Sequence, residues 1–135
     1  MFSNKSTKPS PIDSLIGAGT IITGDVQFTG GLRIDGTVKG NIKAMGDKPG
    51  TLVLSELAKI EGEIEVAHVV VNGTVAGPVR AREYLELMPK ARVTGDVTYK
   101  TIEIHVGAIV MGRMVHDGEA RNSDKVIEFK PASGN

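Results

Sequence analysis

Three histidines are the residues of this sequence best suited to proton transfer or metal binding: His68, His105 and His116. His105 falls between Ile104 and Ala108 of an alternating apolar pattern, so its side chain is expected to point outward. His68 and His116 each end a repeat unit. A zinc site needs three or four converging ligands, and histidines in separate units do not supply them. The sequence therefore predicts surface histidines, with no catalytic residue, no metal and no cofactor.

The acidic residues could serve as general acids and bases if two of them met across a cleft. Glu61, Glu63 and Glu65 alternate with apolar residues, as do Glu83 and Glu86, and alternation is typical of the solvent face of a strand. No glycine-rich segment ends in the Gly-Lys-(Ser/Thr) of a phosphate-binding loop. We therefore expect neither paired catalytic carboxylates nor a nucleotide site.

Composition excludes other classes of function. The 16 basic residues balance the 16 acidic ones and the five aromatic residues are scattered, so no nucleic-acid surface is expected. The absence of cysteine excludes disulfides and thiolate metal sites, and is consistent with a reducing cytosol. The first ten residues lack the apolar core of a secretory signal, and no run approaches the roughly 20 apolar residues of a membrane-spanning helix. A protein of 135 residues has room for one domain with tails.

The secondary structure that positions these residues can be predicted from a repeat in the sequence. Glycines that precede Val, Ile or Met by two positions recur every 16, 22, 15, 18 and 17 residues. They are Gly24, Gly40, Gly62, Gly77, Gly95 and Gly112. The six units that these glycines anchor are predicted to begin at Leu15, Leu32, Leu52, Val69, Leu85 and Ile102.

Each unit contains three pairs of apolar residues at i and i+2, which is the periodicity of short strands. A 17-residue coil of extended chain is about 56 Å around, or about 18 Å on each side of a triangle. The repeat therefore predicts an all-β fold, a single-stranded parallel β-helix of about six triangular rungs over residues 15–117. The glycines are expected to form one corner of each rung, where close stacking or left-handed backbone excludes a Cβ.

The remaining segments are predicted to lie outside the solenoid. Residues 45–50 are expected to form a loop in the longest unit. Residues 1–14 and 118–135 are polar and are predicted to be disordered tails, although residues 126–129 are apolar enough to dock on a partner or a rung. Neither flank has the helical pattern of a cap.

Without caps, the two terminal rungs would expose apolar side chains and unpaired strand edges. The first rung is expected to present Leu15, Ile22, Val26 and Phe28, and the last to present Ile102, Ile104, Val110 and Met114. Covering each end with another copy would bury both kinds of surface, so the sequence predicts a homopolymer.

These repeats resemble those of the bactofilins. The resemblance covers residues 15–117 and is carried by elements such as Leu-Arg-Ile-Asp-Gly-Thr-Val-Lys-Gly (residues 32–40) and the segment from Leu52 to Gly62. It implies a right-handed β-helix between unstructured termini, although the repeat itself does not fix the handedness. It also implies non-polar filaments that form without nucleotide, at the inner face of the cytoplasmic membrane. There the filaments would scaffold cell-wall-modifying enzymes and maintain cell shape.

The opening Met1-Phe2-Ser3 also resembles the membrane-targeting start of that family, although Asn4 delays the first lysine to Lys5. Met1 and Phe2 would be the apolar anchors. Lys5 and Lys8 would each contribute about 1 kcal/mol near anionic head groups. Two other interpretations stay open: a small hexapeptide-type acyltransferase, which is also a β-helix, and a solenoid that binds a partner without polymerising.

Overall fold

In a computed structural model the described part of the chain, residues 8–118, forms fifteen β-strands and no helix. The strands are β1 (Ile12–Ile16), β2 (Ile21–Thr23), β3 (Val26–Phe28), β4 (Gly31–Ile34), β5 (Thr37–Lys39), β6 (Ile42–Ala44), β7 (Thr51–Leu54), β8 (Lys59–Glu61), β9 (Ile64–Val71), β10 (Thr74–Ala76), β11 (Val79–Leu87), β12 (Arg92–Thr94), β13 (Val97–Ile104), β14 (Ile109–Met111) and β15 (Met114–His116). Every pairing between them is parallel and joins one turn of the chain to the next. The predicted all-β solenoid of about six rungs is confirmed.

Each rung has three faces. The six-stranded sheet, in the order β14-β12-β10-β8-β5-β2, forms one of them. The other two share a nine-stranded sheet because β9, β11 and β13 each turn a corner without a break. In β11, Val79–Ala81 pair on one face and Tyr84–Leu87 on the next, with a register shift between them. The chain therefore coils continuously from one rung into the next.

The core consists of aliphatic columns that run the length of the solenoid. One column contains the six β-branched residues Ile22, Val38, Ile60, Val75, Val93 and Val110, which lie in register as predicted. A second contains Val26, Ile42, Ile64, Val79, Val97 and Met114. In the four interior rungs both columns are at most 1% exposed. Burial of this aliphatic surface is the main force that holds the rungs together.

The first rung differs from the predicted alignment by one residue. Ser14 pairs with Leu32 and Ile16 with Ile34, so Leu15 pairs with Arg33 and points outward. The predicted unit start at Leu15 is therefore wrong, and Ile16 occupies the inward position. A bulge between Ile12 and Ser14 accompanies this change in register. Because β1 begins at Ile12, the solenoid also starts three residues before the predicted boundary.

The glycine column lies where adjacent rungs approach most closely. A Cβ on Gly40 would overlap the carbonyl oxygen of Gly24, and one on Gly62 would overlap the carbonyl oxygen of Gly40. The same relation continues through the later rungs to Gly112. Close backbone stacking at this corner thus requires a residue without a side chain.

The remaining predicted segments lie partly outside the described residues. Residues 45–50 connect β6 to β7 and contain no strand. The predictions made for residues 1–7 and 119–135 lie outside the described range, and so do Met1, Phe2 and Lys5. Between residues 8 and 118 there is no helix of the length and hydropathy needed to cross a bilayer.

Candidate functional site: the two open ends of the solenoid

The N-terminal end exposes the beginning of the core. Ile22, Val26 and Phe28 pack against the core but are only partly buried. Their register partners in the second rung, Val38, Ile42 and Ala44, are at most 6% exposed. These three predicted end residues therefore do lie at the end of the core. Leu15, the fourth residue predicted here, lies instead on the outer wall and is 61% exposed, and Ile16 replaces it at the core end.

The C-terminal end exposes the last layer of the same columns. Ile102 and Val110 are partly buried, whereas Ile104 is 49% and Met114 is 42% exposed. Their partners one rung earlier are all fully buried: Leu85, Leu87, Val93 and Val97. The four residues predicted for this end therefore form one open apolar surface, and no described residue covers it.

Strand edges accompany the exposed side chains at both ends. Among the described residues, β2 pairs only with β5, and β14 pairs only with β12. The outer N–H and C=O groups of such strands are available to pair with another strand. Each end of the solenoid thus combines apolar side chains with an edge for backbone pairing.

One strip of the outer wall is apolar in the first and last rungs, which the sequence analysis did not predict. In one outward column the end positions are Ile21 and Ile109, while the interior positions are Thr37, Lys59, Thr74 and Arg92. In the last rung Val106 is 96% exposed and Met111 is 59% exposed. Comparison of outward positions between rungs would have revealed this pattern.

Elsewhere the outer walls are polar and their side chains pair between rungs. The Asp25 carboxylate accepts a hydrogen bond from the backbone N–H of Asn41, 2.9 Å away. Asp96 accepts hydrogen bonds from the backbone N–H and the guanidinium of Arg113, which hold the pKa of that carboxyl below its ordinary value. Glu63 pairs with Arg80 across an exposed 3.1 Å contact. These contacts fit a solvated wall, where each ion pair contributes little stability.

One polar cluster departs from the sequence analysis. His105 points outward as predicted, but its Nε2 lies 2.7 Å from Glu86 Oε2 and 3.3 Å from Glu103 Oε2. The Tyr84 hydroxyl donates to Glu103 Oε1 at 2.7 Å. This hydrogen bond, with burial and the nearby charge of Glu86, raises the pKa of Tyr84 to about 12. The sequence analysis predicted His105 as a surface residue but did not predict its contacts with these two carboxylates.

The other two histidines do not join that cluster. His116 lies on a different face, with Nε2 3.0 Å from the carbonyl oxygen of Lys100 and its ring 5.9 Å from that of Tyr99. His68 is only 9% exposed and its ring lies 6.5 Å from that of Tyr84. Both residues fit structural roles at the corners of the coil.

The fold and its ends define the class of the protein: a parallel β-solenoid whose described part is uncapped at both ends. The chain matches a family model named Bactofilin and described as polymer-forming cytoskeletal, over residues 14–115. It is 31% identical over 109 residues to bactofilin BacO of Myxococcus xanthus, covering 81% of this chain and 83% of BacO. The chain therefore belongs to the bactofilin family of polymer-forming cytoskeletal proteins.

A second relative is bactofilin BacP of the same organism, with 26% identity over 102 residues. The match covers 76% of this chain but only 41% of BacP, so the chain spans less than half the length of that relative. No solved structure matches.

Proposed function

We propose that this bactofilin assembles end to end into filaments through the two terminal rungs of its solenoid. The observation that carries the proposal is the contrast within single columns of the core. Leu87 is 0% exposed, whereas its partner Ile104 in the last rung is 49% exposed. Another copy stacked on this end would continue the column and bury Ile104, as the last rung already buries Leu87.

Backbone hydrogen bonding favours the same arrangement. An incoming rung would pair with the free edges of β2 at one end or β14 at the other, as strands do when they extend a sheet. Contacts between identical ends are two-fold symmetric, which is the commonest symmetry of homo-oligomers. We propose that N-terminal ends meet N-terminal ends and C-terminal ends meet C-terminal ends, so that the filament has no polarity.

Assembly is proposed to need no nucleotide or other cofactor, because the junctions consist of apolar surface and backbone edges. The test is electron microscopy and pelleting of the purified full-length chain without nucleotide. Filaments are the expected result. A stable monomer at high protein concentration would refute the proposal.

We further propose that the filaments lie at the inner face of the cytoplasmic membrane and are structural rather than catalytic. Their partners would be cell-wall-modifying enzymes or other cell-shape proteins. A single tail with Met1, Phe2, Lys5 and Lys8 binds a membrane weakly, but a filament displays many copies of it. The family model that the chain matches is described as polymer-forming cytoskeletal, which supports the scaffold role.

The membrane proposal is tested by co-sedimentation with anionic liposomes. A chain that begins at Ser10 should still form filaments but lose most of its binding, because it lacks both the apolar residues and the lysines. Phe2→Ser in the full-length chain separates the apolar contribution to membrane binding from the electrostatic one, since it removes an apolar anchor and keeps both lysines. Undiminished binding of the shortened filaments would contradict a role for the N-terminal residues.

A further inference from the structure

Three side chains with metal-binding atoms converge on the outer wall of the last two rungs. Glu86 and Glu103 are register partners on β11 and β13, and His105 directly follows β13. The imidazole Nε2 and one oxygen of each carboxylate all lie within 4.8 Å of one another. The side chains are 23% exposed in Glu86, 34% in His105 and 54% in Glu103, so the group is open to solvent on one side.

The imidazole of His105 does not satisfy both the Glu86 and the Glu103 carboxylates. Two carboxylates directly opposite each other on neighbouring strands repel. The histidine Nε2 carries at most one proton and can donate it fully to only one acceptor. It makes a short 2.7 Å contact with Glu86, while Glu103 Oε2 remains at 3.3 Å. A divalent cation at this position would satisfy both carboxylates at once.

We propose that Glu86, Glu103 and His105 form a zinc-binding site. Carboxylate oxygen and imidazole nitrogen are ordinary zinc ligands, at about 2.0–2.2 Å from the metal, and tetrahedral angles then place them about 3.3 Å apart. The Glu103–His105 separation already has this value. Glu86 has to retreat by about 0.6 Å to exchange its hydrogen bond for a metal bond. Three protein ligands leave the fourth position to water.

Tyr84 supplies the outer contact that such a site needs. Its hydroxyl holds Glu103 Oε1 at 2.7 Å, so Oε2 is the oxygen that faces the histidine. Partners of this kind orient metal ligands and commonly change the affinity by 10- to 100-fold. The site is therefore more than two acidic groups on a surface, because an imidazole and an ordered hydroxyl complete it.

The ligands of the proposed site come from two neighbouring rungs, so a bound metal would link these rungs. Glu86 belongs to the fifth rung, whereas Glu103 and His105 belong to the sixth. Zinc bound to all three would tie the last rung to the one before it, directly beside Ile104 at the open end. Metal binding would thereby stabilise the surface on which another copy is proposed to dock, but the site itself does not depend on polymerisation.

Zinc binding is tested by calorimetry with zinc chloride and by the visible absorption of bound Co²⁺, on the full chain. We expect one metal per chain. His105→Ala should weaken binding by roughly 100-fold, because it removes a ligand, and Tyr84→Phe by about tenfold. His116→Ala is the matched control, since it removes a histidine of the same rung on another face, and it should leave the affinity unchanged. Circular dichroism verifies that each variant is folded.

A second measurement tests the tie between rungs. Zinc should raise the thermal unfolding temperature of the unsubstituted chain and leave that of His105→Ala unchanged, because ligand binding stabilises only the state that binds it. Both measurements are repeated with Ile104→Arg, so that failure to polymerise and failure to bind zinc are distinguished. Equal zinc affinity in the unsubstituted and His105→Ala chains, or no binding to either, would overturn the site.

Discussion

Replacing Ile104 with arginine tests the C-terminal junction. The exposed fraction of Ile104 gives an estimate of the binding free energy that the junction would lose. Full burial of an isoleucine side chain contributes about 2 kcal/mol, so covering the exposed half, 49%, contributes about 1 kcal/mol in each copy. An unpaired charge in a dry contact costs a further 3 to 5 kcal/mol, roughly. A two-fold junction contains the residue twice, so the variant should weaken it by about 8 kcal/mol or more, which is more than roughly 10⁵-fold.

The product of this variant also reports the polarity of the filament. If like ends meet, Ile104→Arg leaves the N-terminal junction intact and the protein should sediment as a dimer. If unlike ends met, every junction would contain the altered surface and the protein would sediment as a monomer, which would contradict the proposed symmetry. Filaments of undiminished length by electron microscopy would refute the C-terminal junction itself.

The matched control is Thr94→Arg, which adds the same charge to the exposed wall of the fifth rung. It should polymerise normally. Both variants should keep the circular dichroism spectrum of the unsubstituted chain, because an arginine at an open end can extend into solvent.

Two further predictions concern the walls of the coil. Gly62→Ala should lower the thermal unfolding temperature by several degrees or more, because its Cβ would overlap the carbonyl oxygen of Gly40, whereas Gly17→Ala, which meets nothing within 4 Å, should change it little. In an alkaline absorbance titration Tyr84 should ionise near pH 12, and Glu103→Gln should bring that transition back toward the ordinary value near 10. Because the folded pKa is raised, this contact stabilises the fold up to about pH 10, and its contribution is lost as the pH rises through about 12; an unchanged transition in Glu103→Gln would contradict the assigned hydrogen bond.

The sequence was sufficient to predict the coil because its strands are defined by local rules. Val and Ile at alternate positions identify strands, and a glycine two residues before the next aliphatic residue marks a corner in every unit. The first rung was misaligned because Leu15 and Ile16 are adjacent and equally apolar. Only the pairing of Ile16 with Ile34 shows which of them faces the core. A one-residue slip reverses every side chain of a strand, so the mistaken alignment placed Leu15 in the core although it lies on the outer wall.

The polar cluster could not be found by reading along the chain, because its members meet across rungs. Glu86 and Glu103 are 17 residues apart, and His105 is 19 residues beyond Glu86. Whether Glu86, Glu103 and His105 come close together depends on the register between β11 and β13. The outward-facing residues do not determine that register by themselves. Alignment of Glu86 with Glu103 one repeat later would have brought the carboxylates together, but the contact with His105 depends on side-chain direction at a corner.

The exposed apolar side chains of β14 would give the proposed filament a regularly repeating surface feature. In the proposed filament each C-terminal junction would contain Ile109 and Met111 from both copies, and these apolar side chains would form a patch on an otherwise polar outer wall. Six rungs at the usual strand spacing span about 29 Å, so junctions of this kind would recur about every 58 Å along the proposed filament. A partner protein or a neighbouring filament with apolar sites at the same interval would contact several junctions at once, so the junction spacing would set the spacing of bound partners.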